Sequence, residues 1–203
     1  MICGGGLMPE AQYTYHFAMQ QNTAYIPVDL SYAIGLPPEK AIEYFASKDM
    51  SQITHTLCVH EYTRLIALRE GYKTRKVLLL ELAALLHDIG CPRSKELYGN
   101  CLPVNQERIG AEIVSEWMPA YGKLAPKEID WLVKVVGTHH QLPMAKEYGF
   151  EALFEADLIV NLMEGYYPKE KAALYEKNMV RTASGKALFE LFFHHGKMDI
   201  KSD

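Results

Sequence analysis

His87 and Asp88 stand side by side at the end of an apolar run, "LLLELAALLHDIGCPRSK" (residues 78–95), and Gly90 and Pro92 follow at once. A carboxylate at the end of so hydrophobic a segment carries a cost. The last turn of a helix is negative, which disfavours an anion by up to roughly 1 kcal/mol, and burying an unpaired carboxylate costs several kcal/mol more. A cation must therefore sit close by. Asp157, in "FEALFEADLIVNLMEG", repeats the anomaly, because its helical neighbours Leu153, Phe154 and Val160 are apolar while Glu151 and Glu155 take other faces.

The same 100° geometry sorts the histidines. His55 lies in line with Val59, Tyr62 and Ile66, whereas His60 falls toward Arg64 on the solvated flank. In residues 126–140, His140 continues the stripe Ile129, Val133, Val136 and His139 lies beside Leu132, so both point inward if the helix persists past Gly137. Gln106 heads the stripe Gly110, Ile113, Trp117. The inward polar set is then His55, His87, Asp88, Gln106, His139, His140 and Asp157, from five separate segments. Imidazole and carboxylate without a thiolate cluster suit a first-row divalent ion such as Fe, Mn, Zn, Ni or Co, which would also make the buried acids tolerable.

The elements that must position these residues are helices. Pro37 and Pro38 open one that carries Ala41, Tyr44 and Phe45, and a longer one runs over 53–70 to Gly71. Further helical patterns cover 74–89, 104–118, 126–140, 148–164, 168–179 and 182–194; the run at 77–86 is apolar nearly all round, as in a central helix. Gly90 and Pro92 read as its stop, with an irregular loop over "CPRSKELYGNCLPV". The expectation is an all-α, single-domain, multi-helix bundle over 37–203, preceded by a short irregular extension over 1–36.

The chain has 203 residues, 49% hydrophobic and 23% charged, enough for one well-filled core. A net charge of −4 gives no electrostatic reason to expect nucleic acid or an anionic membrane as partner. Cys3, Cys58, Cys91 and Cys101 form no C-x-x-C pair and the N-terminus lacks a signal-peptide pattern, so the cytoplasm is the expected compartment. Cys91 reads as a small apolar filler. His194 and His195 read as a helix-end pair without an acidic partner.

The succession His55, His87-Asp88 in "AALLHDIG", "THHQ" and Asp157 in "EADLIVNL" resembles the H…HD…D signature of the HD-domain metal-dependent phosphohydrolases, over roughly residues 53–164. The resemblance implies an HD-type helical bundle and a divalent transition metal held by His55, His87, Asp88 and Asp157. It implies hydrolysis of a phosphate ester or anhydride of a small molecule, with nucleotides the first class to consider, in which Asp88, His139 and His140 take catalytic parts. Gln106 stands where two-metal members place a histidine, so one tight metal is expected. Cys91 stands where many members have lysine, which leaves Arg93 and Lys95, with Gln106, as the substrate-binding residues. A non-catalytic metal or nucleotide sensor and a di-iron oxygenase are the alternative functions; a homodimer is left open.

Overall fold

The computed structural model describes residues 37–194. Among these the chain is helical, with no strand, in the order α1 (Pro37–Lys48), α2 (Ser51–Arg69), α3 (Thr74–Leu86), α4 (Cys91–Tyr98), α5 (Pro103–Tyr121), α6 (Pro126–Val136), α7 (Leu142–Tyr148), α8 (Glu151–Glu164), α9 (Ala172–Met179) and α10 (Ala183–Phe189). A short 3-10 turn, Lys169–Lys171, leads into α9, and a π-helical turn, Glu190–His194, follows α10. The expected extension over 1–36 and His195 lie outside the described residues.

Two helices form the centre. In α3 every residue from Leu80 to Leu86 is buried, and in α8 every residue from Ala152 to Val160. Such all-round burial goes with sequences that are apolar apart from Glu81 in α3 and Glu155 and Asp157 in α8. α2 packs against both, while α5 and α6 form an antiparallel pair that meets α3 through α6. Phe45, Ile66, Leu86, Leu132, Ile159 and Phe189 fill the core between them.

The boundaries around the chemistry differ from the sequence reading. α3 ends at Leu86, and residues 87–90 form a turn in which His87 caps the helix, so Asp88 lies just beyond the helix. Pro92 does not lead into an irregular loop. It occupies the first turn of α4, where a missing N–H costs nothing, and Gly99, at φ 68°, ends that helix. The segment 126–140 breaks in the same way: α6 stops at Val136, residues 137–140 turn, and Pro143 opens α7.

Gly90 has a second reason to be glycine. Its φ of −80° suits any residue, but a Cβ there would stand 2.1 Å from the Gln106 carbonyl oxygen and 2.5 Å from the Gly110 nitrogen. The main chain of α5 thus passes directly over the 87–90 turn. Gly110 completes the approach, since a Cβ on it would meet Val136 Cγ1 at 2.8 Å.

Cys91 is no isolated filler, because it forms a disulfide with Cys101, ten residues on, across the ends of α4. The bond removes the cysteine-based reason for expecting a reducing compartment. No helix among the described residues is long and apolar enough to cross a membrane.

Candidate metal centre

Three histidines bring their Nε2 atoms together because their Nδ1 atoms are occupied elsewhere. The final carbonyls of a helix have no partner within it, and His87 and His139 exploit two of them. His87 Nδ1 donates to the Ala84 carbonyl at 2.7 Å, and His139 Nδ1 to the Val136 carbonyl at 2.8 Å. Each ring therefore caps the helix before it and turns a lone pair on Nε2 inward. His55, inside α2, donates from Nδ1 to Glu164 Oε2 at 2.9 Å.

The inward atoms converge. His55 Nε2 lies 3.3 Å from His87 Nε2, 3.2 Å from Asp157 Oδ1 and 3.6 Å from Asp88 Oδ2, and His87 Nε2 lies 3.6 Å from both of those oxygens. Donor atoms ~2.1 Å from a shared ion lie roughly 3.0–3.4 Å apart, so the spacing is that of a ligand set around one metal. The two imidazole nitrogens, 3.3 Å apart, need a positive charge between them, either a metal ion or, without one, the proton that His55 holds. Asp88 Oδ1 turns the other way, 3.5 Å from His139 Nε2, a buried nitrogen without a hydrogen-bond partner. Asp88, His139 and His140 form a second group spaced to hold an ion. The residues present thus fit a divalent metal.

Without a metal, the electrostatics are those of acids and imidazoles compressed together. Burial pulls the His55 pKa down, but the carboxylates of Asp157, Asp88 and Glu164 outweigh it and push the value up to about 9. Burial pushes the Asp88 and Asp157 carboxyls up, yet the surrounding histidines hold both below the usual carboxylate range. His139 is lowered by burial and by His140 beside it; His140 is raised, because Glu107 and the aspartates outweigh burial.

The buried acids outside the cluster show how a carboxylate is satisfied by protein alone. Glu155 accepts from the Arg181 and Thr182 main-chain N–H groups and the Thr182 hydroxyl at 2.5–2.9 Å, and Glu81 faces Arg64 Nε at 3.2 Å. Asp157 accepts from Asn161 Nδ2 at 2.8 Å and otherwise faces imidazoles.

Of the residues singled out in the sequence, the structure brings His55, His87, Asp88, His139, His140 and Asp157 into one cluster, with Gln106 at its edge. Gln106 Nε2 is 3.3 Å from His140 Nε2. Arg93 and Lys95 are not brought in. They lie on the solvent face of α4, 51% and 44% exposed, with Arg93 on Glu96 at 2.8 Å and Lys95 on Asp49 at 2.5 Å. His60 is half-buried, 3.8 Å from Glu81. His194, read as lacking an acid, bonds Glu176 at 2.8 Å.

Three residues were missed. Glu107 accepts from the His140 main-chain N–H at 3.0 Å and from Gln141 Nε2 at 3.1 Å, and faces His140 Nδ1 at 3.4 Å. No pattern marked it, since it lies beside the Gln106 stripe. Asn161 and Glu164 did carry a signal: they follow Asp157 by four and seven residues, on one helical face.

The sequence profile of the HD domain matches residues 53–183, which is more than half of the chain. The chain belongs to the HD domain family. A solved structure, of a predicted HD superfamily hydrolase from an uncultured Thermotogales bacterium, superposes with a TM-score of 0.56 at 24% identity, covering 75% of this chain and 80% of that one. The likeness supports the fold of this HD-domain protein. A search of curated proteins finds no match.

Proposed function

We propose that this HD-domain protein is a metal-dependent phosphohydrolase that cleaves a phosphate ester or anhydride of a small molecule, nucleotides being the first class to test. The observation that carries it is the convergence of His55 Nε2, His87 Nε2, Asp88 Oδ2 and Asp157 Oδ1, with the other nitrogen of each imidazole already hydrogen-bonded. The word hydrolase in the structural neighbour's name agrees in class. A divalent ion held by these four residues supplies a water of lowered pKa, about 7, and a charge that polarises a phosphoryl oxygen.

The remaining residues divide the work around it. Asp88 has one oxygen toward His55 and His87 and the other toward His139, so it can hold the attacking water by its proton on the His139 side. His139, kept neutral by burial, has an Nε2 able to accept a proton. His140, whose imidazolium Glu107 favours, can stabilise charge on a phosphoryl oxygen. Gln106 holds His140 from the α5 side. Arg93 and Lys95 reach a substrate phosphate only by leaving Glu96 and Asp49. One tight ion is expected, because His140 is faced by Glu107 and Gln106 at its two ring nitrogens.

The test is elemental analysis of the purified protein together with phosphate release from a panel of nucleotides, phosphomonoesters and phosphodiesters. Release that disappears with the metal is the expected result. Tight metal binding with no turnover across the panel would make the protein a sensor, and two tightly bound irons with oxygen uptake would make it an oxygenase.

A further inference from the structure

We propose that Glu164 is a positioning residue of the metal centre, whose carboxylate orients the His55 ring and keeps its Nε2 lone pair facing the ion. The inference rests on the metal-centre reading and extends it to a residue beyond the ligand set. A ligating imidazole needs an acceptor for its other N–H, which sets both tautomer and ring orientation. His87 and His139 find that acceptor in carbonyls at the ends of α3 and α6. His55 cannot. It lies in the fifth position of the 19-residue α2, where the main-chain carbonyls are engaged in the helix ladder. The acceptor has to come from another element, and Glu164, the last residue of α8, supplies it at 2.9 Å.

The arrangement follows from the face α8 presents. Asp157, Asn161 and Glu164 recur at four and seven residues, so one helical stripe delivers a ligand, the amide that steadies it at 2.8 Å, and the brace for a histidine on the neighbouring helix. A carboxylate does more than a carbonyl in this position, because its charge strengthens the opposite nitrogen as a donor. Glu164 also differs from Asp157 in exposure: its side chain is 30% exposed, against 10% for Asp157. Glu164 therefore belongs to the rim of the centre and can be replaced without opening a cavity in the core.

The experiment titrates Co2+ into chelator-treated wild-type, Glu164→Gln and Glu164→Ala proteins, reading visible absorption and calorimetric affinity, with the metal-free melting temperature of each measured in parallel. The expected result is a loss of about 10- to 100-fold in affinity for Glu164→Ala. Glu164→Gln should recover part of it, since the amide oxygen still accepts from Nδ1, and the metal-free melting temperatures should fall by no more than about 2–4 °C, the cost of losing one partly exposed partner of His55. Equal affinity in the three proteins overturns the proposal. So does a Glu164→Ala loss matched by a large drop in metal-free melting temperature, which would make Glu164 a fold-stabilising acid. Absence of Co2+ binding by the wild-type protein overturns the metal centre and this proposal with it, whereas Co2+ binding without phosphate release removes only the hydrolase reading.

Discussion

Replacing Gly90 with alanine adds one methyl group where the 87–90 turn meets α5, and its neighbours there are main-chain atoms. The new Cβ would lie 2.1 Å from the Gln106 carbonyl oxygen, 3.0 Å from its carbonyl carbon and 2.5 Å from the Gly110 nitrogen, against 3.4–4 Å for ordinary contact. More than an ångström of separation must be found, and no rotamer change can provide it. Overpacking into a filled core costs 1–3 kcal/mol, and rigid backbone on both sides places this case at about 3 kcal/mol or above. A chain of this length loses about 2–4 °C per kcal/mol, so the melting temperature should fall by about 6–12 °C. Gly99→Ala is the control: φ there is +68°, but nothing lies within 4 Å of the added Cβ, so only the left-handed backbone cost of about 1 kcal/mol remains. Since Asp88 is two residues from Gly90, Gly90→Ala should also weaken metal binding, while Gly99→Ala should not. Thermal melting and metal titration of the two variants measure both effects. A Gly90→Ala protein that melts no lower than Gly99→Ala and binds metal normally would refute the close approach of the turn to α5.

Other consequences follow from the ligand geometry. His87→Ala and Asp88→Ala should each lose metal and phosphate release together, whereas His60→Ala, whose ring faces Glu81, should retain both; metal analysis beside a turnover assay decides. Chelation should lower the melting temperature, because a ligand present at 100 times its Kd adds about 2.7 kcal/mol to the folded state. The gap between loaded and metal-free protein should widen from pH 6.5 to 9. His55 has a folded pKa near 9 against 6.5 unfolded, so the stability its proton confers is complete below 6.5 and lost as pH rises through 9, while deprotonation favours metal binding over the same interval. A gap that narrows with pH would contradict this. Gln106→His should raise the metal content toward two per chain, because imidazole is a stronger donor than an amide; an unchanged content would show that the residue does not limit the second position.

Much of this protein was legible in one dimension. An apolar stripe repeats every three to four residues whatever lies across from it, so the helical character, the central place of α3 and the inward side of His55 and Asp157 could be read from the chain alone, whereas Glu155, assigned to another face of its helix, is buried as well. The buried acids also announced the need for positive charge. Local signals were ambiguous where one residue does two jobs. Gly90 and Pro92 stop one helix and start the next, and only the packed structure shows that Gly90 is glycine because α5 lies against it.

Partnerships between distant segments were decided by the tertiary structure. Arg93 and Lys95 are close in sequence to the His87-Asp88 pair but project from α4 toward Glu96 and Asp49. Glu164 and Glu107 are far from the histidines they face, 109 and 33 residues away, and reach them because α8 packs on α2 and α5 on α6. Periodicity specifies which side of a helix a residue occupies. Which atom it meets there depends on how the helices are arranged, and that is set by the packing of the whole core.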